Sequence, residues 1–186
     1  MKVKVYKIQQ ETVQPEEKQL TLKDYKKLLM AAKRLGNEFL YLILEVLAST
    51  GMRISELRFL TAEAVREGVV VVNNKGKIRR ILLTARMQEQ LNSYMNIRGI
   101  TTGVIFTNRR GKAVSRVTIW REMKKLCDAA GVHERKVYPH NLRKLFATEL
   151  YDSTKDIARV AEVLGHSSVE TTRRYILPDY KTRRME

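Results

Sequence analysis

Residues Phe39 to Leu47 are apolar almost all round, with Glu45 the one charged interruption, and no other stretch constrains the fold as strongly. A surface helix shows one apolar stripe, whereas a helix that is apolar on every side has to sit in the middle of a bundle with neighbours around it. Even extended to Ala48, the run is far short of the roughly 20 residues that a bilayer crossing requires. Its burial must therefore come from the protein itself, and no membrane partner is expected. The amino terminus has no hydrophobic segment flanked like a secretion signal. A chain of 186 residues can enclose one sizeable core, which makes a single domain the default organisation. We expect the packed domain to span residues 20–186, beginning near Leu20, with residues 1–19 an arm or linker.

Around that central helix the sequence predicts shorter elements. Thr21 can cap a helix with Asp24 three residues on, and Leu22, Tyr25, Leu28, Leu29 and Ala32 share its apolar face up to a stop at Gly36. Ile54 to Leu60 reads as another helical stretch. Val69 to Val72 and Ile78 to Leu83 are rich in β-formers and flank Asn73-Asn74-Lys75-Gly76-Lys77, a hairpin with a basic turn. Ser115 can cap a helix over Val117 to Ala130 in which Trp120, Met123, Cys127 and Ala130 form one stripe, so the default role of Trp120 and Cys127 is packing. Asn141 to Tyr151 and a stripe of Ile157, Val160, Ala161 and Leu164 follow; Gly165 ends the latter, and Ser168 can cap a last helix through Tyr175. The expected fold class is α+β, mainly α-helical, with one small antiparallel hairpin.

Lys and Arg outnumber Asp and Glu 36 to 20, giving a formal net charge of +16 and a pI near 10.1. Such an imbalance attracts polyanions, and nucleic acid is the leading partner, an RNA-binding or ribosomal role being the bland alternative. Charge nominates a partner without naming a reaction. Cys127 is the only cysteine, which excludes an intrachain disulfide and a cysteine-based zinc cluster and fits a reducing cytoplasm.

Four segments are rich in groups that can handle a phosphate: Thr50-Gly51-Met52-Arg53-Ile54-Ser55-Glu56-Leu57, the hairpin lysines, His140-Asn141-Leu142-Arg143, and Leu164-Gly165-His166 followed by Tyr175. In this order they resemble the box I arginine, the β-hairpin lysine, the His-x-x-Arg of box II, the Leu-Gly-His and the nucleophilic tyrosine of the tyrosine recombinases, the phage-integrase type. Each piece alone is a short pattern; their order and spacing together carry the resemblance, which runs from about Leu20 to Tyr180. His140 and Arg143 lie three apart, so on a helix they project from one side. His166 lies nine positions before Tyr175.

The resemblance implies a tyrosine-recombinase catalytic-domain fold and a site-specific DNA breaking and rejoining activity. Attack of a phenol on a phosphodiester builds negative charge on the non-bridging oxygens, which guanidinium groups can hold bidentately, and Arg53 and Arg143 are the candidates. Tyr175 is the expected nucleophile, conserving the bond energy in a 3′-phosphotyrosine so that resealing needs no ATP. His140 and His166 would donate to phosphate oxygens or manage the tyrosine proton. A turn lysine would protonate the 5′-oxygen; Lys75 is favoured over Lys77 after a one-residue gap in the hairpin. Lys77, Arg79 and Arg80 are then expected to contact backbone phosphates. No cofactor or metal is implied, since arginines and imidazoles supply the positive field that magnesium provides in many phosphoryl-transfer enzymes.

Competing readings stand beside these. Glu56 is either a partner of Arg53 or a histidine, or an exposed helix glutamate. His166 at a helix stop could simply favour the negative end of the helix dipole. Tyr180 is the decoy for Tyr175. Relatives in this family usually carry a further amino-terminal helical domain that completes a clamp around DNA, and nothing before Leu20 is long enough to be it. The implied partner is double-stranded DNA bearing an inverted-repeat site, bound as a homotetramer on paired sites, with a monomer expected in isolation. A non-catalytic DNA-binding module of the same fold and a type IB topoisomerase are the alternatives.

Overall fold

The computed structural model describes residues 19–74, 76–173 and 175–176, apart from the side chains of Asn74 and Lys77. Helix α1 spans Leu22–Arg34, and Thr21 and Asp24 close the expected reciprocal cap at its start. Helix α2 (Glu38–Thr50) begins at an Asn37 cap and ends at Gly51, whose φ of 61° is the left-handed conformation that lets the chain leave the helix. Eight of the thirteen α2 residues are buried, so the run that opened the sequence reading is the hub of the bundle. It packs on α1, on α4 (Ala85–Arg98), on α5 (Arg116–Ala130) and most extensively on α6 (Pro139–Thr154). Glu45, in the middle of α2, accepts a hydrogen bond from the Tyr41 hydroxyl at 3.2 Å.

After α2 the chain makes a 3-10 helix over Ile54–Phe59, where a helical stretch was expected, and then the short α3 (Ala62–Glu67). Strands β1 (Val69–Asn74) and β2 (Lys77–Leu82) form the expected antiparallel hairpin, in register from Val69 opposite Leu82 to Asn74 opposite Lys77. Successive strand side chains point to opposite faces. Val70, Val72 and Ile81 are therefore buried, while Val71, Ile78 and Leu82 face solvent.

Helix α5 has the Ser115 cap read from sequence and ends at Gly131, and Met123 and Cys127 lie on its buried stripe as expected, but Trp120 does not. Ile119, Met123, Leu126 and Cys127 are buried, whereas Trp120 is 42% exposed with the Lys124 ammonium 5.6 Å above its ring. Ile119 takes the inward place that the stripe had given to Trp120. Helices α6 and α7 (Ile157–Leu164) follow, and residues 169–173 and 175–176 are helical. A small second core of Ala147, Val160, Leu164 and Ile176, flanked by Phe146 and Tyr175, pins this last segment to α6 and α7. No helix among the described residues is long and apolar enough to cross a membrane.

Candidate active site

The site forms where the end of α2, the first turns of α6 and the end of α7 meet the hairpin. Arg143, on the buried side of α6, is only 4% exposed. Its Nη1 donates to the Gly51 carbonyl and its Nη2 to the Leu164 carbonyl at 2.6 Å. One guanidinium thus ties the segment before Arg53 to the segment before His166. Burial, then the charges of Arg53 and Arg79, depress its pKa to about 10, which leaves it cationic at neutral pH.

Arg53 caps the 3-10 helix. Glu56 accepts from the Arg53 backbone N–H at 2.7 Å and from its Nη1 at 3.0 Å, while 40% of the Arg53 side chain stays open to solvent. The two arginines therefore differ: Arg143 is an interior strut with a charged face, and Arg53 is a half-open cation held from behind by an acid.

Tyr175 packs between the two histidines. Its ring meets His140 edge-to-face at 5.1 Å and His166 at 5.9 Å, and its hydroxyl donates to the His140 carbonyl at 3.1 Å. The His166 Nδ1 lies 2.7 Å from the hydroxyl of Thr172, which is fully buried one turn before Tyr175. Desolvation first, and then Arg143, Arg53, Arg79 and His140, lower the His166 pKa to about 4, so the ring is neutral at physiological pH. His140 is shifted the same way by partial desolvation and by Arg143, Lys144 and Arg53. An imidazole kept neutral amid guanidiniums can donate or accept one proton at a phosphate oxygen without adding to the charge already there.

Arg53, His140, Arg143, His166 and Tyr175 thus share one electropositive locality. Arg53 and His166 also line a pocket of about 860 Å³ together with Arg79, Arg80, Ser167 and Thr171, a size that suits phosphate and sugar groups. Lys75 and Tyr180 lie outside the described residues, and of Lys77 only the backbone, paired with Asn74, is described. Arg80 is exposed on the pocket wall. Arg79, grouped with Lys77 and Arg80 by residue type, is turned inward: it donates to Glu56 Oε2 at 2.6 Å and to the Val163 carbonyl at 2.9 Å. Glu56, which the sequence left between two roles, is 3% exposed and bridges Arg53 and Arg79.

The phage integrase family matches residues 18–182 of this chain. The chain belongs to that family. Within it, the chain is similar to tyrosine recombinase XerD of Yersinia pestis, 36% identical over an alignment of 142 residues that covers 72% of this chain and 48% of that protein. It thus spans about half the length of the curated relative it matches. Among solved structures of the family, XerA recombinase superposes with a TM-score of 0.74 at 30% identity, covering 90% of this chain and 63% of that one. XerH site-specific recombinase bound to palindromic difH substrate in a post-cleavage complex gives 0.73 at 25% identity, covering 90% and 51%. The mostly helical fold with one small hairpin is the phage-integrase catalytic-domain fold expected from sequence.

Proposed function

We propose that this chain is the catalytic domain of a site-specific tyrosine recombinase, cutting and rejoining double-stranded DNA through a bond between Tyr175 and a 3′-phosphate. The observation that carries the reading is the packing of Tyr175 between His140 and His166, within the field of Arg53 and Arg143. In the reaction the Tyr175 oxygen attacks phosphorus and the 5′-oxygen leaves with a proton from Lys75. Arg53 and Arg143 hold the two non-bridging oxygens as negative charge grows on them. With the Thr172 hydroxyl donating to Nδ1, His166 keeps its proton on Nε2 and donates it to a phosphate oxygen. His140 takes the phenolic proton. The Tyr175–His140 carbonyl bond belongs to the resting state and must break for attack, because a hydroxyl donating to an amide oxygen is not aimed at phosphorus.

The partner is DNA with an inverted-repeat site, engaged by a homotetramer on paired sites, the isolated chain being a monomer. XerH, bound to a palindromic substrate, supports this partner class by similarity. Lys77 and Arg80 contact flanking phosphates. The decisive experiment is covalent trapping on nicked duplexes taken from the boundaries of the host genetic element, run on a denaturing gel for wild type and Tyr175→Phe. A wild-type adduct that disappears in the variant is the expected result. An adduct that persists in Tyr175→Phe rules out the nucleophile, and clear binding without any adduct favours a non-catalytic module.

A further inference from the structure

We propose that Arg79 is a positioning residue that fixes the hairpin against the pocket and so sets the geometry of Arg53 and His166, without itself contacting DNA. The inference rests on the recombinase reading above and assigns a new role within that site.

In β2 the residues at 79 and 81 share the inward face and those at 78, 80 and 82 the outward one, as the burial of Ile81 and the exposure of Ile78 and Leu82 record. A basic residue at 79 is therefore delivered to the interior whatever its affinity for phosphate. Once there, both of its terminal nitrogens are engaged. Nη2 meets Glu56 at 2.6 Å and Nη1 meets the Val163 carbonyl at 2.9 Å, and only 12% of the side chain remains exposed. Its charge is already paired with the buried Glu56 carboxylate, whereas Arg143 meets only neutral carbonyls and keeps its charge for an anion.

The two partners show what the contact does. Glu56 uses its other oxygen on the Arg53 side chain, so Arg79 and Arg53 are held by one acid. Val163 belongs to the last turn of α7, where backbone carbonyls lack partners within the helix and attract cations. Arg143 caps the next carbonyl, that of Leu164, and His166 follows two residues later. Gly165 completes the fit: a Cβ there would stand 3.0 Å from Arg79 Cδ, so the glycine leaves room for the arginine stem to cross. Arg79 thus joins segments 23 and 84 residues away from it, one carrying Arg53 and the other His166.

The test compares wild type, Arg79→Ala, Arg79→Lys and Arg80→Ala in single-turnover cleavage of nicked duplexes at saturating DNA, and in DNA affinity as a function of salt. Arg79→Ala is expected to slow saturated cleavage on the order of 10- to 100-fold, the range that small misplacements of reacting groups produce, while the slope of log affinity against log salt stays at the wild-type value. Arg80→Ala should lower that slope by about 0.9, the loss of one phosphate contact. Arg79→Lys can keep the Glu56 contact but not both, so it should recover part of the rate; it also provides the same readouts if the alanine variant fails to fold. A slope reduced by a full unit in Arg79→Ala overturns the proposal, as does a variant that melts earlier yet cleaves at the wild-type rate when saturated. If wild type forms no adduct, the recombinase reading fails, and the salt slopes alone decide whether Arg79 is turned inward.

Discussion

Gly51 offers a quantitative test of how the site is held together. It ends α2 with φ +61°, and its carbonyl receives the Arg143 guanidinium. Replacing it with alanine adds two separable costs. A non-glycine residue in the left-handed region costs about 1 kcal/mol. In addition, the new Cβ would collide with the Phe146 ring, Cε1 standing only 2.7 Å away, with Leu164 Cδ2 at 3.0 Å. Overpacking of that kind costs about 1–3 kcal/mol. Gly131 separates the two, because it ends α5 at φ +60° with nothing within 4 Å of its would-be Cβ. Gly131→Ala should therefore lose only the conformational part. At about 2–4 °C per kcal/mol for a domain of this size, Gly131→Ala is expected to lower the melting temperature by about 2–4 °C and Gly51→Ala by about 4–16 °C. The assay is thermal unfolding followed by circular dichroism or calorimetry on the two variants and wild type. Equal losses in the two variants would refute the reasoning, for they would mean that Phe146 yields without cost and that the close packing behind the Arg143 anchor contributes nothing.

Three further outcomes follow from the same geometry. The His166 pKa lies at about 4 in the folded chain against its ordinary 6.5, so the unfolded chain binds more protons between those values. Stability should be full above about pH 6.5 and fall as the pH drops toward 4, with His140 adding in the same direction; saturating inorganic phosphate should raise the His166 value in an NMR titration, and no change would place the anion site elsewhere. Arg143→Lys keeps a charge but cannot span the Gly51 and Leu164 carbonyls, so cleavage at saturating DNA should fall by about 100-fold or more in a folded protein; near-normal cleavage would show that the guanidinium fork is dispensable. Ile119→Ala should cost about 2–5 kcal/mol in chemical denaturation, and Trp120→Ala, at the half-exposed neighbour, about 1 kcal/mol or less; the reverse order would restore the stripe read from sequence.

Local signals were the most legible part of this chain. The Thr21–Asp24 cap, the glycine stops and the all-round apolar α2 depend on neighbours a few positions away, and each stands where its residues predict. Helix α5 shows the limit: Ile119 and Trp120 are adjacent and both apolar, and which one turns inward is decided by the partner helices, not by the residues themselves. Helix α4 has no counterpart among the sequence expectations. Its buried Met87, Leu91, Tyr94 and Met95 are interspersed with polar residues, and Ile97 faces solvent. Within the site, Arg53, His140, Arg143, His166 and Tyr175 were marked by motif. Glu56 was not settled, because an acid three residues after an arginine also describes an ordinary exposed pair; its second partner lies 23 residues on and meets it only in the fold. For Arg79 a signal was present: the period of two that buries Ile81 also carries residue 79 to the inward face of the strand.

The Arg143 strut also sets when in the life of the chain a working site can exist. It reaches back 92 residues to Gly51 and forward 21 to Leu164, so the pocket has no local precursor. At roughly 5–20 residues per second, a ribosome needs on the order of ten seconds to make the stretch between those two carbonyls. During that time Arg53 already has Glu56 to hold it from behind, but the segment before it lacks the Arg143 guanidinium that ties it to the end of α7. On the recombinase reading proposed above, the capacity to break a strand arrives only after α7 has docked and its last carbonyl is gripped.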